Sequence, residues 1–427
     1  MILRVLFSIF AGLAFSAAAQ PVPVTVHATP SGQFELLRSG EPYFVRGAGG
    51  VSRLDRLALA AGNSVRTWGS EQTAAVIDEA QRLGLTVCAG LWIEHERRGF
   101  DYDDAAAVQA QIERHCRAVD QFKDKPALLL WGVGNEVESR ASNPKVWDVI
   151  EAVAAYIKRV DPHHPVMTVL AHPTPAAVAE IKRCCPSVDI LGCNSYAGLP
   201  VLARDVRACG WTGPYLVTEW GNDGSWEVPK TTWGAEIEPT STAKAIQRAQ
   251  RYALIRADTA RCLGSYAFFW GQKQETTPTW FNLFTADGRA EESVAVLESL
   301  WSGRPPAVSA PRIGALQLNG AAAAASVQAA PGATIRAECA LLRGEPGERI
   351  VRWELLRESG HKGFGGEAEV RPAAVALPLL HPAPEPGRCA AEFAAPAQPG
   401  AYRLFVYVDG PEATVANANF PFFVSAP

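Results

Sequence analysis

The feature that most constrains this chain is an eightfold alternation of apolar, β-branched runs with amphipathic helical segments between residues 44 and 301. Helix-like segments fall between the runs, and the clearest are 71–83, 105–122, 144–160 and 242–261. The strand-like runs are 44–48, 64–68, 86–92, 128–133, 166–170, 189–193, 215–218 and 265–270. Strands that alternate with helices pair in parallel. Eight of them over about 260 residues predict a (β/α)8 barrel rather than an open doubly wound sheet, which would normally show a glycine-rich phosphate loop after its first strand.

The alternation of strand-like and helix-like segments ends at about residue 304. A Pro-rich stretch at 305–312 reads as a linker, and the remainder has short alternating runs separated by turn residues. These runs are 334–340, 350–356, 390–393, 402–408 and 417–424. We therefore predict a barrel at 20–304, a linker at 305–312 and an antiparallel β-sandwich at 313–427. The segment from Pro399 to Leu404 resembles the corner-then-strand signature of immunoglobulin-like domains.

The N-terminus has the features of a secretory signal peptide. Arg4 precedes an apolar run at 5–15, which is too short to span a bilayer, and small residues follow at 16–19. We expect residues 1–19 to be removed and the mature protein to be secreted or periplasmic, with no membrane association after cleavage.

Charge and cysteine spacing argue against two classes of partner. Lys and Arg total 40 against 44 Asp and Glu, and no basic run is present, so a nucleic-acid partner is not expected. The nine cysteines include no pair separated by two residues, and no Cys/His cluster has zinc spacing. We therefore expect no metal site and no cofactor.

Two carboxylates come directly after strand-like runs. Glu136 follows the fourth run, and Glu219 ends the segment that begins with the seventh. In a barrel, the carboxyl ends of the strands face the active site. A carboxylate that follows several apolar residues is costly unless it has partners or a function. Two converging carboxylates are what glycoside hydrolysis requires, one to protonate the leaving oxygen and one to attack the anomeric carbon.

With this pair, the sequence resembles clan A of the glycoside hydrolases over about residues 36–304. Members of the clan have an Asn-Glu pair after strand four, whose Glu is the acid/base, and a nucleophilic Glu after strand seven. Asn135-Glu136 and Glu219 match these positions. Within the clan the chain is most similar to the family 2 barrel, without the N-terminal sandwich domains of that family. Residues 133–137 also resemble the acid segment of the β-glucan-active families 17 and 72.

The resemblance implies roles for further residues. Arg66 and Tyr196 match side chains that contact the nucleophile, and Asn135 matches one that binds the sugar 2-hydroxyl. Trp270 matches an aromatic residue under the sugar ring. Trp220 stands where many relatives have a tyrosine.

Tryptophans mark the expected ligand. Indole faces stack on sugar C–H groups. The tryptophans at predicted strand ends, which we expect to bind substrate, are Trp68, Trp92, Trp220 and Trp270, and loops after the last two strands carry Trp226, Trp233 and Trp280. Secondary candidates for the site are His95, Glu138, His172, Gln272, Lys273 and Glu275. This distribution predicts a carbohydrate cleft with more than one subsite.

The sequence therefore predicts an exported, retaining β-glycoside hydrolase or transglycosylase. The expected substrate is a β-glucan or β-linked oligosaccharide, cleaved through a covalent glycosyl-enzyme. One alternative is an exo-acting enzyme similar to β-galactosidases, mannosidases or glucuronidases. Another is a non-catalytic carbohydrate-binding barrel, although the presence of both carboxylates argues against it.

Overall fold

The structure is a computed structural model that describes residues 20–343, 350–360, 362–363, 366–377, 379–385 and 387–426. The predicted signal peptide, residues 1–19, lies outside the described residues. Within the described ranges, no helix has the length and apolar character needed to cross a membrane.

A small antiparallel sheet packs on the base of the barrel. Its strands are β1 (Val24–Ala28), β2 (Phe34–Arg38) and β3 (Glu41–Pro42). Val24 and Leu36 are buried in the same apolar cluster as Met167 and Ile190 of the barrel interior. Apolar packing therefore seals the amino-terminal end of the barrel, and polar chemistry is left to the other end.

Eight parallel strands form a closed barrel, which confirms the predicted (β/α)8 fold. Seven of the predicted runs match their strands to within two residues, whereas the eighth strand begins and ends three residues earlier than expected. In chain order the strands are β4 (Val45–Gly49), β5 (Ser64–Arg66), β6 (Thr86–Leu91), β7 (Leu128–Val133), β8 (Val166–Leu170), β9 (Ile190–Asn194), β10 (Tyr215–Trp220) and β11 (Cys262–Ala267). All but one of their residues are buried, as is typical of a parallel sheet that is covered on both faces.

Eight helices surround the barrel. They are α1 (Leu54–Leu59), α2 (Ser70–Arg82), α3 (Ala105–Phe122), α4 (Lys145–Val160), α5 (Pro175–Cys184), α6 (Leu199–Ala208), α7 (Ser241–Ala257) and α8 (Glu292–Ser302). The Asp104 carboxylate accepts hydrogen bonds from the free N–H groups at the start of α3, a cap that typically contributes about 1 kcal/mol. Helix α7 ends four residues before the predicted boundary, because β11 begins at Cys262 and the chain must turn before it.

Two sheets of mainly antiparallel strands follow the barrel and enclose a second apolar core. Their strands are β12 (Ala290–Glu291), β13 (Arg312–Ile313), β14 (Gln317–Leu318), β15 (Gln328–Ala329), β16 (Thr334–Arg343), β17 (Val351–Arg357), β18 (Ala374–Val375), β19 (Leu379–Glu385), β20 (Arg388–Ala394), β21 (Gly400–Asp409) and β22 (Thr414–Val424). One sheet has the order β12-β22-β21-β17-β18 with β15 on β22, and the other has the order β13-β16-β20-β19 with β14 on β16. The Tyr402 hydroxyl donates to the Gln398 carbonyl at the start of β21. The immunoglobulin-like assignment stays a prediction.

The barrel and the C-terminal sheets share hydrogen bonds across the predicted linker. Strand β12 lies before α8, within the predicted barrel segment, and pairs in parallel with β22. Asn417 of β22 donates from its side chain to Glu291 at 2.6 Å and from its backbone N–H to the Ser241 hydroxyl at 2.9 Å. All three residues are buried. The two parts are therefore docked through buried hydrogen bonds rather than joined by the linker alone.

Candidate active site

A cavity of about 1380 Å³ opens at the carboxyl ends of the barrel strands. Six of the nine residues predicted for the site line it: Trp68, Trp92, Asn135, Glu136, Tyr196 and Glu219. Arg66 lies beneath the lining and reaches Glu219 and Asn135 from below. Trp220 and Trp270 lie elsewhere, as described below.

Glu219, on β10, is held by three hydrogen-bond donors. Arg66 Nη1 donates to Oε1 at 3.0 Å, and the Trp68 indole Nε1–H donates to the same oxygen at 2.9 Å. The Tyr196 hydroxyl donates to Oε2 at 2.9 Å. Burial, and secondarily the negative charge of Glu219, raise the pKa of Tyr196 well above its usual value, so its hydroxyl keeps its proton. Two neutral donors and one cation therefore hold the two oxygens of Glu219 in place.

The side-chain amide of Asn135 is oriented by two donors. Arg66 Nη2 donates to Asn135 Oδ1 at 2.7 Å, and Asn194 Nδ2 donates to the same oxygen at 3.2 Å. Because the carbonyl oxygen is occupied by donors, the assignment of the amide O and N is determined by its partners. Asn135 lines the cavity, so its NH₂ group is available to donate to a ligand hydroxyl.

Glu136 is placed by an unusual backbone conformation. Its φ is 52°, in the left-handed region that non-glycine residues rarely adopt, at a typical cost of about 1–3 kcal/mol. Its N–H donates to the Val169 carbonyl at 2.8 Å, and Arg97 Nη1 donates to its carbonyl at 3.0 Å. Contacts from two neighbouring elements therefore hold the residue in this conformation, which directs its side chain toward the cavity.

Glu136 is suited to carry a proton near neutral pH. Burial raises the pKa of its carboxyl to about 7, and the negative charge of Glu219 adds to this effect. A 2.6 Å hydrogen bond from Asn194 Nδ2 to Glu136 Oε1 acts in the opposite direction. The two carboxyls thus face one cavity in contrasting environments, which is the usual sign of an acid paired with a nucleophile.

His95 and Glu138 support the Asn135–Glu136 segment. Burial, followed by the charge of Arg97, lowers the pKa of His95 to about 4, so its ring is neutral. Its Nε2 lies 2.7 Å from the Asn135 carbonyl and must therefore donate to it. Burial raises the pKa of Glu138 to about 7, and its Oε1 accepts from the N–H of Ala171, a lining residue, at 2.7 Å, whereas Glu138 itself is not part of the lining.

The prediction that Trp220 binds substrate is corrected by the structure. Trp220 is fully buried and stacks on Tyr252 of α7, with 5.8 Å between ring centroids. Successive side chains of a strand point to opposite faces. Because Glu219 points into the barrel mouth, the adjacent Trp220 must point outward to the helices.

Trp270 is also placed away from the cavity. It is fully buried against Phe284 and Trp301, and its indole N–H donates to the Arg53 carbonyl at 3.1 Å. The cause is the position of β11, which ends at Ala267 rather than at Trp270. The first two residues after the strand, Phe268 and Phe269, line the cavity instead.

Among the residues of the site that sequence reasoning missed, three lie at or directly after strand ends. Asn194, the last residue of β9, was detectable as a polar side chain at the end of an apolar run, like Glu136 and Glu219. Phe268 and Phe269 could have been found from the aromatic run that precedes the predicted strand end. The secondary candidates Lys273 and Glu275 do line the cavity and form an ion pair at 2.5 Å.

Comparison with known proteins places the barrel. A family model described as "Glycosyl hydrolases family 2, TIM barrel domain" matches residues 63–222, a range that includes both carboxylates. Over this range the barrel is similar to the catalytic barrel of family 2 glycosyl hydrolases. Across the part of the chain that the structure describes, no group of three or more His, Cys, Asp or Glu side chains is arranged to hold a metal ion.

Two individual proteins show how similar this chain is to known sequences and structures. The chain is 25% identical over 144 residues to "Probable mannan endo-1,4-beta-mannosidase F" of Emericella nidulans, a match that covers 30% of this chain and 31% of that protein. A β-glucuronidase of Ruminococcus gnavus in complex with an isofagomine superposes with a TM-score of 0.50 at 13% identity, over 66% of this chain and 52% of the other. The chain thus spans about half the length of the glucuronidase, and the likeness shows the fold.

Proposed function

We propose that this protein is a retaining β-glycoside hydrolase, with Glu219 as nucleophile and Glu136 as acid/base. The observation that carries the proposal is the contrast between the two carboxyls in one cavity. Glu219 accepts hydrogen bonds on both oxygens, including one from a guanidinium, whereas burial raises the pKa of Glu136 to about 7. One group is prepared to attack as an anion and the other to donate a proton.

The reaction proceeds in two displacements. Glu219 attacks the anomeric carbon while Glu136 protonates the leaving glycosidic oxygen, which gives a covalent glycosyl-enzyme and releases the aglycone. Glu136, now ionised, then takes a proton from water, which attacks the same carbon and regenerates Glu219. If a sugar hydroxyl takes the place of water, the same steps give transglycosylation. The Asn135 NH₂ group is in position to donate to the 2-hydroxyl during both displacements.

The site contains its own means of switching Glu136 between the two roles. One cause of its raised pKa is the negative charge of Glu219. That charge disappears when Glu219 becomes an ester in the glycosyl-enzyme. The pKa of Glu136 then falls, because only the effect of burial remains to raise it, and the group that acted as acid becomes a base.

The substrate that we propose is a β-glucan or another β-linked oligosaccharide. The cavity is larger than the 300–1,000 Å³ usual for a small-molecule site. The aromatic residues Trp92, Trp226 and Phe269 are among those that line it. Exo-acting cleavage of a β-galactoside, β-mannoside or β-glucuronide is the alternative. We also propose that the protein acts outside the cytoplasm, on the strength of the signal-peptide features of residues 1–19.

The test is product analysis on a defined panel. The purified protein is incubated with soluble β-1,3- and β-1,4-glucans, β-mannan, and aryl β-glycosides of glucose, galactose, mannose and glucuronic acid. Chromatography identifies the products, and proton NMR of the first minutes of reaction identifies the anomer. We expect the β-anomer to form first. An α-anomer would contradict the double displacement, and absence of turnover on the whole panel would favour the non-catalytic alternative.

A further inference from the structure

One side of the cavity is formed by a segment that connects two strands of the C-terminal sheets, not by the barrel. The residues that form it lie between β17 and β18, and we call them the C-terminal wall: Lys362, Gly363, Gly366, Glu367, Ala368 and Glu369.

Glu369 ties the wall to the loop after β11. Its Oε2 accepts from the Thr276 N–H at 2.7 Å, and its Oε1 accepts from the Gly363 N–H at 2.9 Å. The same loop carries Lys273 and Glu275, which line the cavity. One carboxylate therefore fixes both the shape of the wall and its position against the barrel loop.

Lys362 ties the wall to the loop after β10. Its ammonium pairs with Glu236, whose carboxylate also pairs with Lys230 at 3.1 Å. All three residues line the cavity. One carboxylate therefore occupies the ammonium groups of both Lys362 and Lys230, and the ammonium of Lys273 in the neighbouring loop is paired with Glu275.

A buried polar network holds these loops on the C-terminal sheets. Arg403 of β21 donates to the Glu236 carbonyl at 2.8 Å and to Asn419 Oδ1 at 2.7 Å. Asn419 Nδ2 donates in turn to Glu238 Oε2 at 2.6 Å, and Glu238 pairs with the fully buried Lys244 at 2.5 Å. Removing one partner of a buried charge pair is strongly destabilising. The loop after β10, which Lys362 of the wall contacts, is thus attached to the C-terminal sheets through contacts that are costly to break.

Glu367 of the wall interacts electrostatically with Arg97, a residue of the barrel loop after β6. Burial lowers the pKa of Arg97, and the negative charges of Glu136 and Glu367 oppose that effect. Arg97 follows β6 and holds the Glu136 carbonyl. Glu367 is therefore within electrostatic reach of the segment that carries the proposed acid/base.

We propose that the C-terminal wall forms a sugar-binding subsite next to the one occupied by the reacting sugar, so that the C-terminal sheets select for longer chains of a neutral β-linked oligosaccharide. The inference rests on the proposed function and adds the substrate's length and charge to it. Paired charges suit a polyol, whose hydroxyls both donate and accept, better than a polyuronate, which would need unpaired cations. The Ala368 side chain is exposed, lines the cavity and is small, so a sugar ring can approach the wall there without a clash from a large side chain.

The test introduces a large side chain at position 368. Ala368→Trp is compared with Ala373→Trp, which alters an equally exposed alanine of the same connection away from the cavity. For an aryl β-glycoside and for oligosaccharides of two to five units, we expect Ala368→Trp to lose kcat/KM in proportion to chain length. The loss should be at least about tenfold greater for the tetrasaccharide than for the aryl glycoside, mainly through KM. Ala373→Trp should match wild type within about twofold. A loss that does not depend on length, or no loss, would overturn the proposal.

A binding measurement separates this proposal from the proposed function. The Glu219→Gln protein is titrated calorimetrically with the same oligosaccharides, with and without Ala368→Trp. We expect affinity to rise with chain length, and the rise to be lost when Ala368 is replaced. If wild type turns over no substrate but this binding pattern holds, the proposed function fails and the subsite stands. If turnover is present but Ala368→Trp and Ala373→Trp behave alike in both measurements, the subsite fails and the function stands.

Discussion

Asn194 donates a 2.6 Å hydrogen bond to Glu136 and so connects the end of β9 to the proposed acid/base. The Thr218 hydroxyl donates to Asn194 Oδ1 at 2.8 Å, which fixes the orientation of the amide. Through Asn135 and Arg66 the contacts continue from Asn194 to Glu219. The relative position of the two carboxyls is therefore set mainly by residues that lie on strand ends or within three residues of them.

Replacing Asn194 should change the pH dependence of the reaction. Its hydrogen bond favours the ionised form of Glu136, so Asn194→Ala should raise the pKa of Glu136 further. The alkaline limb of the kcat/KM profile should move to higher pH, with a loss of activity of about tenfold at the optimum. Thr218→Val, which only releases the amide, should shift the limb in the same direction by less. An alkaline limb that moves to lower pH in Asn194→Ala would contradict this account.

The catalytic pair should respond differently to substitution. Glu219→Gln should lower kcat by several orders of magnitude, because no nucleophile remains. Glu136→Ala should be slow on substrates with poor leaving groups but should retain activity on activated aryl glycosides, which need no protonation. Azide should accelerate Glu136→Ala and give a β-glycosyl azide, detectable by mass spectrometry and NMR. Wild-type activity in Glu219→Gln would show that the nucleophile is misassigned.

Glu136 should make the protein less stable at alkaline pH than a variant without the charge. The folded-state pKa of about 7 lies above the ordinary value of 4.5, so the unfolded chain releases its proton first as pH rises. Stability is therefore lost between pH 4.5 and 7 and stays reduced above that range. Glu136→Gln cannot ionise, so its Tm should be close to wild type at pH 4.5 and several degrees higher at pH 8. Glu35→Gln, at an exposed position on β2, serves as the control and should show no such trend.

Arg66 should matter through its shape as well as its charge. Its two Nη atoms contact Glu219 and Asn135 separately. A lysine supplies one cationic group, so Arg66→Lys can keep the contact to Glu219 only by giving up Asn135. We expect kcat/KM to fall about tenfold in Arg66→Lys and about a hundredfold or more in Arg66→Met. Equal activities for the two variants would show that the charge of Arg66 contributes nothing to the reaction.

Removing the C-terminal sheets should destabilise the barrel. A chain that ends at Pro306 loses β22, which pairs with β12, and leaves the buried carboxylates of Glu238 and Glu291 without their asparagine partners. We expect this shortened protein to be insoluble or to unfold at a much lower temperature. Calorimetry of the full chain should show one unfolding transition. Two well-separated transitions would show that the interface contributes little to stability.

The alternation of strands and helices was readable from the sequence because it depends on local periodicity and burial. From this alternation the barrel, seven of its strands to within two residues, and the bounds of α3 were all predicted correctly. The carboxylates Glu136 and Glu219 were detectable for the same reason, since each interrupts an apolar run at the end of a strand. No tertiary information was needed to find them.

Tertiary structure decided which way neighbouring side chains point and what lies across the cavity. Strand β11 ends three residues earlier than predicted. Trp270 therefore lies in the core, and Phe268 and Phe269 line the cavity in its place. Because adjacent side chains on β10 point to opposite faces, Trp220 packs against the surrounding helices whereas Glu219 points into the cavity. The C-terminal wall meets the barrel loops through contacts such as that between Glu369 and Thr276, which are 93 residues apart. Such contacts have no local signature, because their free energy depends on burial and partners that exist only once the chain has folded.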